Sequence, residues 1–218
     1  MFVRLWMTEN PITIITTESV ATAQAVMEEN GIRRLPVVDN AGELKGIVSV
    51  KDVYNALPSI VDGSSAGSGT TFSEGTSVAE IMTSGPMSVG SMTPLETVAK
   101  RMRQHKVGAM PVLDNGELIG IITESDIFRA FIEVFGGNED GIRVEMIMRQ
   151  ESEDFYGILN ILKRYGMSVI ALTIHNNFGK NQRLLTLKIT GEEFESTLVA
   201  LRKFGVQVNF IQGVEDDF

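Results

Sequence analysis

Met7-Thr8-Glu9-Asn10-Pro11-Ile12 recurs as Met82-Thr83-Ser84-Gly85-Pro86-Met87, about 75 positions further along the chain. At the same offset, Leu35-Pro36-Val37-Val38-Asp39-Asn40 matches Met110-Pro111-Val112-Leu113-Asp114-Asn115. One residue closer, Gly46-Ile47-Val48-Ser49-Val50-Lys51-Asp52 matches Gly120-Ile121-Ile122-Thr123-Glu124-Ser125-Asp126. The lost residue falls in a turn, where Asn40-Ala41-Gly42-Glu43 shortens to Asn115-Gly116-Glu117. A length change costs least there. Three matched blocks in one order make this chain an internal duplication.

Each copy carries the same pattern of elements. A short extended piece (Ile12 to Ile15; Met87 to Val89) leads into a helix whose apolar residues recur at helical spacing. They are Val20, Ala23 and Met27 in the first copy, and Leu95, Val98, Ala99 and Met102 in the second. For the second helix the sequence predicts Thr93 as N-cap, Pro94 at the first helical position and Glu96 closing a capping box. Both helices should end in turns near Gly31 and Lys106. Two strands follow, joined by an Asx/Gly turn, and a further helix starts at about Asp52 and its counterpart. The order is β-α-β-β-α, twice.

Around the duplication the chain reads differently. Residues 62–76, rich in Gly, Ser and Thr, read as a linker between copies spanning 1–61 and 77–135. From 139 to 218 the apolar pattern predicts β-α-β-β-α-β, the ferredoxin-like order. Its helices run through Phe155, Ile158, Leu159 and Leu162, and through Phe194, Leu198 and Leu201. A polar turn is expected at Asn176 to Asn181. The fold class is α+β throughout.

Composition excludes several functions. There is no cysteine, so disulfides, thiolate metal sites and thiol nucleophiles are absent, and a cytoplasmic location is the simplest reading. The formal charge of -9 argues against a nucleic-acid partner, and no apolar run predicts a membrane span. His105 and His175 stand far apart without carboxylates at metal-ligand spacing. No nucleophile elbow, Walker loop or dinucleotide fingerprint occurs. The expectation is a protein that is not an enzyme and needs no cofactor.

One pattern remains that carries chemistry: Ser49…Asp52 and Thr123…Asp126, each at a strand-to-helix junction. Two readings stand. Ser/Thr-x-x-acid is a capping box, satisfying the helix start. Equally, a carboxylate at a helix start accepts both hydroxyls of a ribose, with the hydroxyl and free N–H groups available to a phosphate.

At these residues the chain resembles a tandem pair of cystathionine-β-synthase (CBS) domains, and the region 139–218 resembles an ACT domain. The loop from Gln150 to Gly157 keeps only the final glycine of the usual Asp-x-Pro-Gly, and is acidic through Glu151, Glu153 and Asp154. The domain order is similar to acetoin-utilisation AcuB-like proteins. The resemblance implies a regulatory sensor that binds adenine nucleotides (AMP, ADP, ATP or S-adenosylmethionine) in clefts between the repeats. It assigns Thr123 and Asp126 to one ribose, with Ile12 and Ile32-Arg33 walling the adenine. Ser49 and Asp52 would hold the other, with Met87 and Val107-Gly108. Arg33 and Arg34 offer charge to phosphates, as do Lys51, His105 and Lys106. The Asp126 site is expected to be the stronger, because Arg33 stands where the other site has Gly108. The ACT-like tail implies a small effector or a homodimer interface. The rival reading is a dimerisation and docking module with vestigial clefts.

Overall fold

The structure, a computed structural model, describes residues 1–56, 75–149 and 154–213. Most of the expected linker at 62–76, and residues 150–153 of the acidic loop, lie outside the described residues. The chain divides into two compact units, Met1–Phe128 and Arg129–Phe218.

In the first unit a 3-10 turn at Val3–Leu5 precedes β1 (Thr8–Glu9), β2 (Ile14–Ile15), α1 (Val20–Glu29), β3 (Arg34–Val38), β4 (Leu44–Ser49) and α2 (Val50–Ala56). The second copy supplies α3 (Val78–Ile81), β5 (Thr83–Ser84), α4 (Leu95–His105), β6 (Ala109–Asp114), β7 (Glu117–Thr123) and α5 (Glu124–Val134). Periodicity located the helix faces: Val20, Ala23 and Met27 are buried, as are Leu95, Val98 and Met102, with Ala99 only half-buried. Both helices end on left-handed residues, Gly31 at φ 62° and Lys106 at φ 55°.

The sheets are exchanged between the copies. One sheet has the order β2-β3-β4-β5, so the head of the second copy completes the sheet of the first. The other has the order β1-β7-β6, so the head of the first copy joins the sheet of the second. Two glycines permit this exchange. A Cβ at Gly46 would run into the Met82 side chain, and one at Gly120 would come 2.7 Å from Met7 Sδ and 3.0 Å from the Thr8 carbonyl. The methionine ahead of each exchanged strand therefore lies against a bare glycine of the sheet it joins. Gly120→Val is expected to cost about 1–3 kcal/mol by overpacking this contact, read as a lower urea midpoint.

Several local expectations are corrected. The extended piece at Ile12 narrows to Ile14–Ile15, and of Met87 to Val89 only Val89 forms a bridge, with Val112. The helix expected at Asp52 starts two residues earlier, placing Asp52 in its first turn. Helix α4 has Pro94 as its N-cap and no side-chain cap. Its start is covered by the chain terminus instead: Leu95 N–H donates to the Met1 carbonyl at 3.0 Å, and Val3 N–H donates to the Thr93 carbonyl at 3.0 Å. A capping box that the motif survey passed over is formed by Ser77 and Glu80, whose carboxyl the Ser77 N–H and hydroxyl hold below the usual glutamate range. The shortened turn of the second copy puts Asn115 and Gly116 both at positive φ, which suits a two-residue hairpin.

The second unit contains β8 (Ile142–Arg149), α6 (Asp154–Arg164), β9 (Ser168–Gly179), β10 (Gln182–Thr190), α7 (Phe194–Phe204) and β11 (Gln207–Gln212). That is β-α-β-β-α-β, with an antiparallel sheet in the order β11-β8-β10-β9. Alternation along β8 and β10 turns Val144, Met146, Met148, Leu185, Leu187 and Ile189 into a core with Ile158, Leu162 and Leu201 from the helices. The polar turn predicted at Asn176 to Asn181 is shorter than expected. Strand β9 continues to Gly179, and Asn181 alone takes the left-handed conformation. Gly157 lies on α6 against the Phe204 ring of α7, where any side chain would collide.

Candidate functional site

The two Ser/Thr-x-x-Asp segments adopt nearly identical geometry. Ser49 donates to Asp52 Oδ2 through its N–H at 2.8 Å and its hydroxyl at 2.6 Å. Thr123 does the same to Asp126 Oδ2 at 2.9 and 2.7 Å. Each is a capping box, built with one carboxylate oxygen; the second oxygen takes no part in it. The capping and ligand readings are therefore compatible in one residue. Asp52 is half-buried, whereas Asp126 is only 7% exposed and sits behind Thr123.

The junctions are also tied within each copy, at equivalent positions. Val50 N–H donates to the Arg33 carbonyl at 3.0 Å, and Glu124 N–H donates to the Gly108 carbonyl at 3.1 Å. Each helix start is thereby pinned to the segment just ahead of the neighbouring strand.

Two cavities open at these junctions. The first, of about 680 Å³, is lined by Ser49, Asp52, Met87, Val107 and Gly108, the group assigned to one site by resemblance. The second, of about 290 Å³, is lined by Ile12, Ile32, Arg33 and Thr123 of the group assigned to the other, but Asp126 is not in its wall. Arg33 and Arg34 line both. Their double role removes the reason for ranking the Asp126 cavity above the other. At Gly108 the bare backbone leaves room for the Arg34 guanidinium, which a Cβ would meet, with Glu124 Oε2 2.8 Å from the same point. The glycine read as an absence of charge is what admits the charge.

The first cavity additionally takes Lys51 and Lys106 in its lining; His105 is not among its residues. Lys106 occupies a left-handed conformation that costs a non-glycine residue about 1 kcal/mol. Sequence reasoning passed over Thr83 and Pro86 in the first cavity and Thr8 and Pro11 in the second. The signal was available: these pairs occupy equivalent positions of the duplication, and both copies of each line a cavity.

Among the described residues no group of three or more His, Asp or Glu side chains is placed to hold a metal ion. Nor does any helix among them have the length and hydropathy to cross a membrane.

Comparison with known proteins agrees with this arrangement. The CBS domain family model matches residues 3–59 and again 78–133. A CBS domain-containing protein of Dictyostelium discoideum is 34% identical over 135 residues, covering 62% of this chain and 93% of that protein. Other relatives are longer enzymes, of which this chain spans about a fifth.

Among solved structures, the CBS domain pair of protein MJ0100, in complex with 5'-methylthioadenosine and S-adenosyl-L-methionine, superposes with a TM-score of 0.53 at 27% identity. That match covers 64% of this chain and 98% of the other. An acetoin utilization protein (AcuB) from Vibrio cholerae gives 0.52 at 33% identity, covering 64% and 96%. CBSX2 in complex with AMP gives 0.50 at 29%, covering 61% and 97%. With the family model met twice, at the same two segments that the duplication defines, the chain belongs to the CBS domain family and carries the domain as a tandem pair.

Proposed function

We propose that this protein is a non-catalytic regulatory sensor that binds adenine nucleotides in the two cavities of its CBS pair. The observation that carries the reading is the pairing of each capping box with a cavity. Asp52 of one box and Thr123 of the other each stand in the wall of a space with apolar walls and arginine side chains. An adenosine suits such a site: the ribose hydroxyls bond the carboxylate, the base lies on Met87 or Ile12, and the phosphate meets Arg33 and Arg34. The similarity to CBS pairs crystallised with AMP and with adenosyl compounds supports the same ligand class.

The second unit, on this reading, is an ACT-like domain, supported by its element order and by Gly157 on α6. Its sheet ends on β9, a 12-residue edge strand with Val169, Leu172 and Ile174 exposed. A long apolar edge of this kind favours pairing with a second copy, hence a homodimer. A small effector bound at this unit is the other role it would serve.

The test is isothermal titration of nucleotide-free protein with adenosine, AMP, ADP, ATP and S-adenosylmethionine, and with GMP as control. Saturable binding of adenine compounds, not matched by GMP, is the expected result. No heat from any of them would leave a docking module with vestigial clefts as the better account.

A further inference from the structure

The duplication provides an internal control for ligand charge, because most lining residues of one cavity correspond to lining residues of the other. At the position after the junction, Lys51 of the first cavity corresponds to Ser125 of the second. At the turn that ends the helix, Lys106 of the first corresponds to Gly31 of the second. Gly31 and Lys106 share one backbone conformation, at φ 62° and 55°, and Ile32 and Val107 follow with matching hydrogen bonds to Met27 and Met102. Backbone geometry therefore favours glycine at both places, and only one copy has it. Lysine stands at 106 against that preference, on the rim of the larger cavity.

Volume and charge point the same way. The Asp52 cavity has about 680 Å³ and four cationic side chains, Arg33, Arg34, Lys51 and Lys106. The Asp126 cavity has about 290 Å³ and only the two arginines, which it shares. Positive charges gathered in a cleft add to one another's attraction for a polyanion. Resting on the adenine-nucleotide reading above, we infer that the two clefts take different ligands: the Asp52 cleft is the polyphosphate site, for a nucleoside di- or triphosphate. The Asp126 cleft takes an adenosine compound with one phosphate or none.

The experiment exchanges the residues that differ. In the full chain, Lys51→Ser/Lys106→Gly gives the first cleft the residues of the second, and Ser125→Lys moves a charge the other way. Because Lys106→Gly relieves the left-handed lysine, the double variant should melt no lower than wild type, so lost binding is not lost folding. Titration with ATP and with adenosine should show ATP affinity reduced tenfold or more in the double variant, and adenosine affinity within about twofold of wild type. Ser125→Lys should strengthen ATP binding at the second cleft. Equal weakening of ATP and adenosine, or no change in ATP, would overturn the assignment while leaving adenine binding intact. Failure of wild type to bind either ligand would instead remove the adenine reading itself.

Discussion

Asp52→Asn combined with Asp126→Asn is expected to reduce adenosine and AMP binding by ten- to hundredfold at each cleft, with the melting temperature little changed. Asparagine keeps one acceptor oxygen, and one is what each capping box uses: Ser49 and Thr123 both donate to Oδ2 alone. A ribose needs the second oxygen as well, and asparagine presents an NH2 there. A hydrogen bond to a charged acceptor contributes about 1.5–3 kcal/mol, which sets the range of the loss. Alanine at the same positions would also remove the box, costing roughly a further 1 kcal/mol of stability at each helix start. Comparing the two substitutions by calorimetry and thermal melting separates ligand contact from helix capping. Undiminished affinity in the asparagine pair would mean that neither carboxylate meets the ligand.

Met110→Ala should be the most destabilising of the single changes considered, by about 2–5 kcal/mol. Its side chain is 0% exposed in β6, whose neighbours Val112 and Ile122 are buried with it. The site cannot collapse readily, because β6 is held along its length by β7. The measurement is straightforward because the only tryptophan, Trp6, is buried in the same unit. Its fluorescence on heating should show a midpoint lower by roughly 10 °C. An unchanged midpoint would contradict the packing described for β6.

What the sequence disclosed followed from two kinds of signal. The duplication was legible because it preserves residue type and spacing at key positions of both junctions and both strand pairs. The helices of the second unit were legible because Ile158 and Leu162, and Leu198 and Leu201, keep helical spacing on buried faces. Other features lacked such a signal. Strands β1 and β5 have two residues each, too few for any periodicity, so the exchange between sheets was invisible. The start of α4 was misread because its donors are satisfied by Met1, distant in sequence, and no local motif encodes that bond. The resemblance named many of the residues that line the two cavities, but gave no account of Arg33 and Arg34 lining both. Which cleft Arg34 serves depends on the direction of its side chain over Gly108, and that direction is a property of the packed molecule.

The exchange of β1 and β5 has a bearing on ancestry as well as on folding. Each repeat completes its sheet with the leading strand of the other copy and lends its own in return. A one-repeat forebear would thus have been an obligate pair of identical chains, with two clefts equal by symmetry. Joining the pair into one polypeptide released that constraint, since positions 31 and 106, or 51 and 125, then mutate separately. The fused chain keeps the architecture of a twin and gains the freedom to make its two halves answer to different molecules.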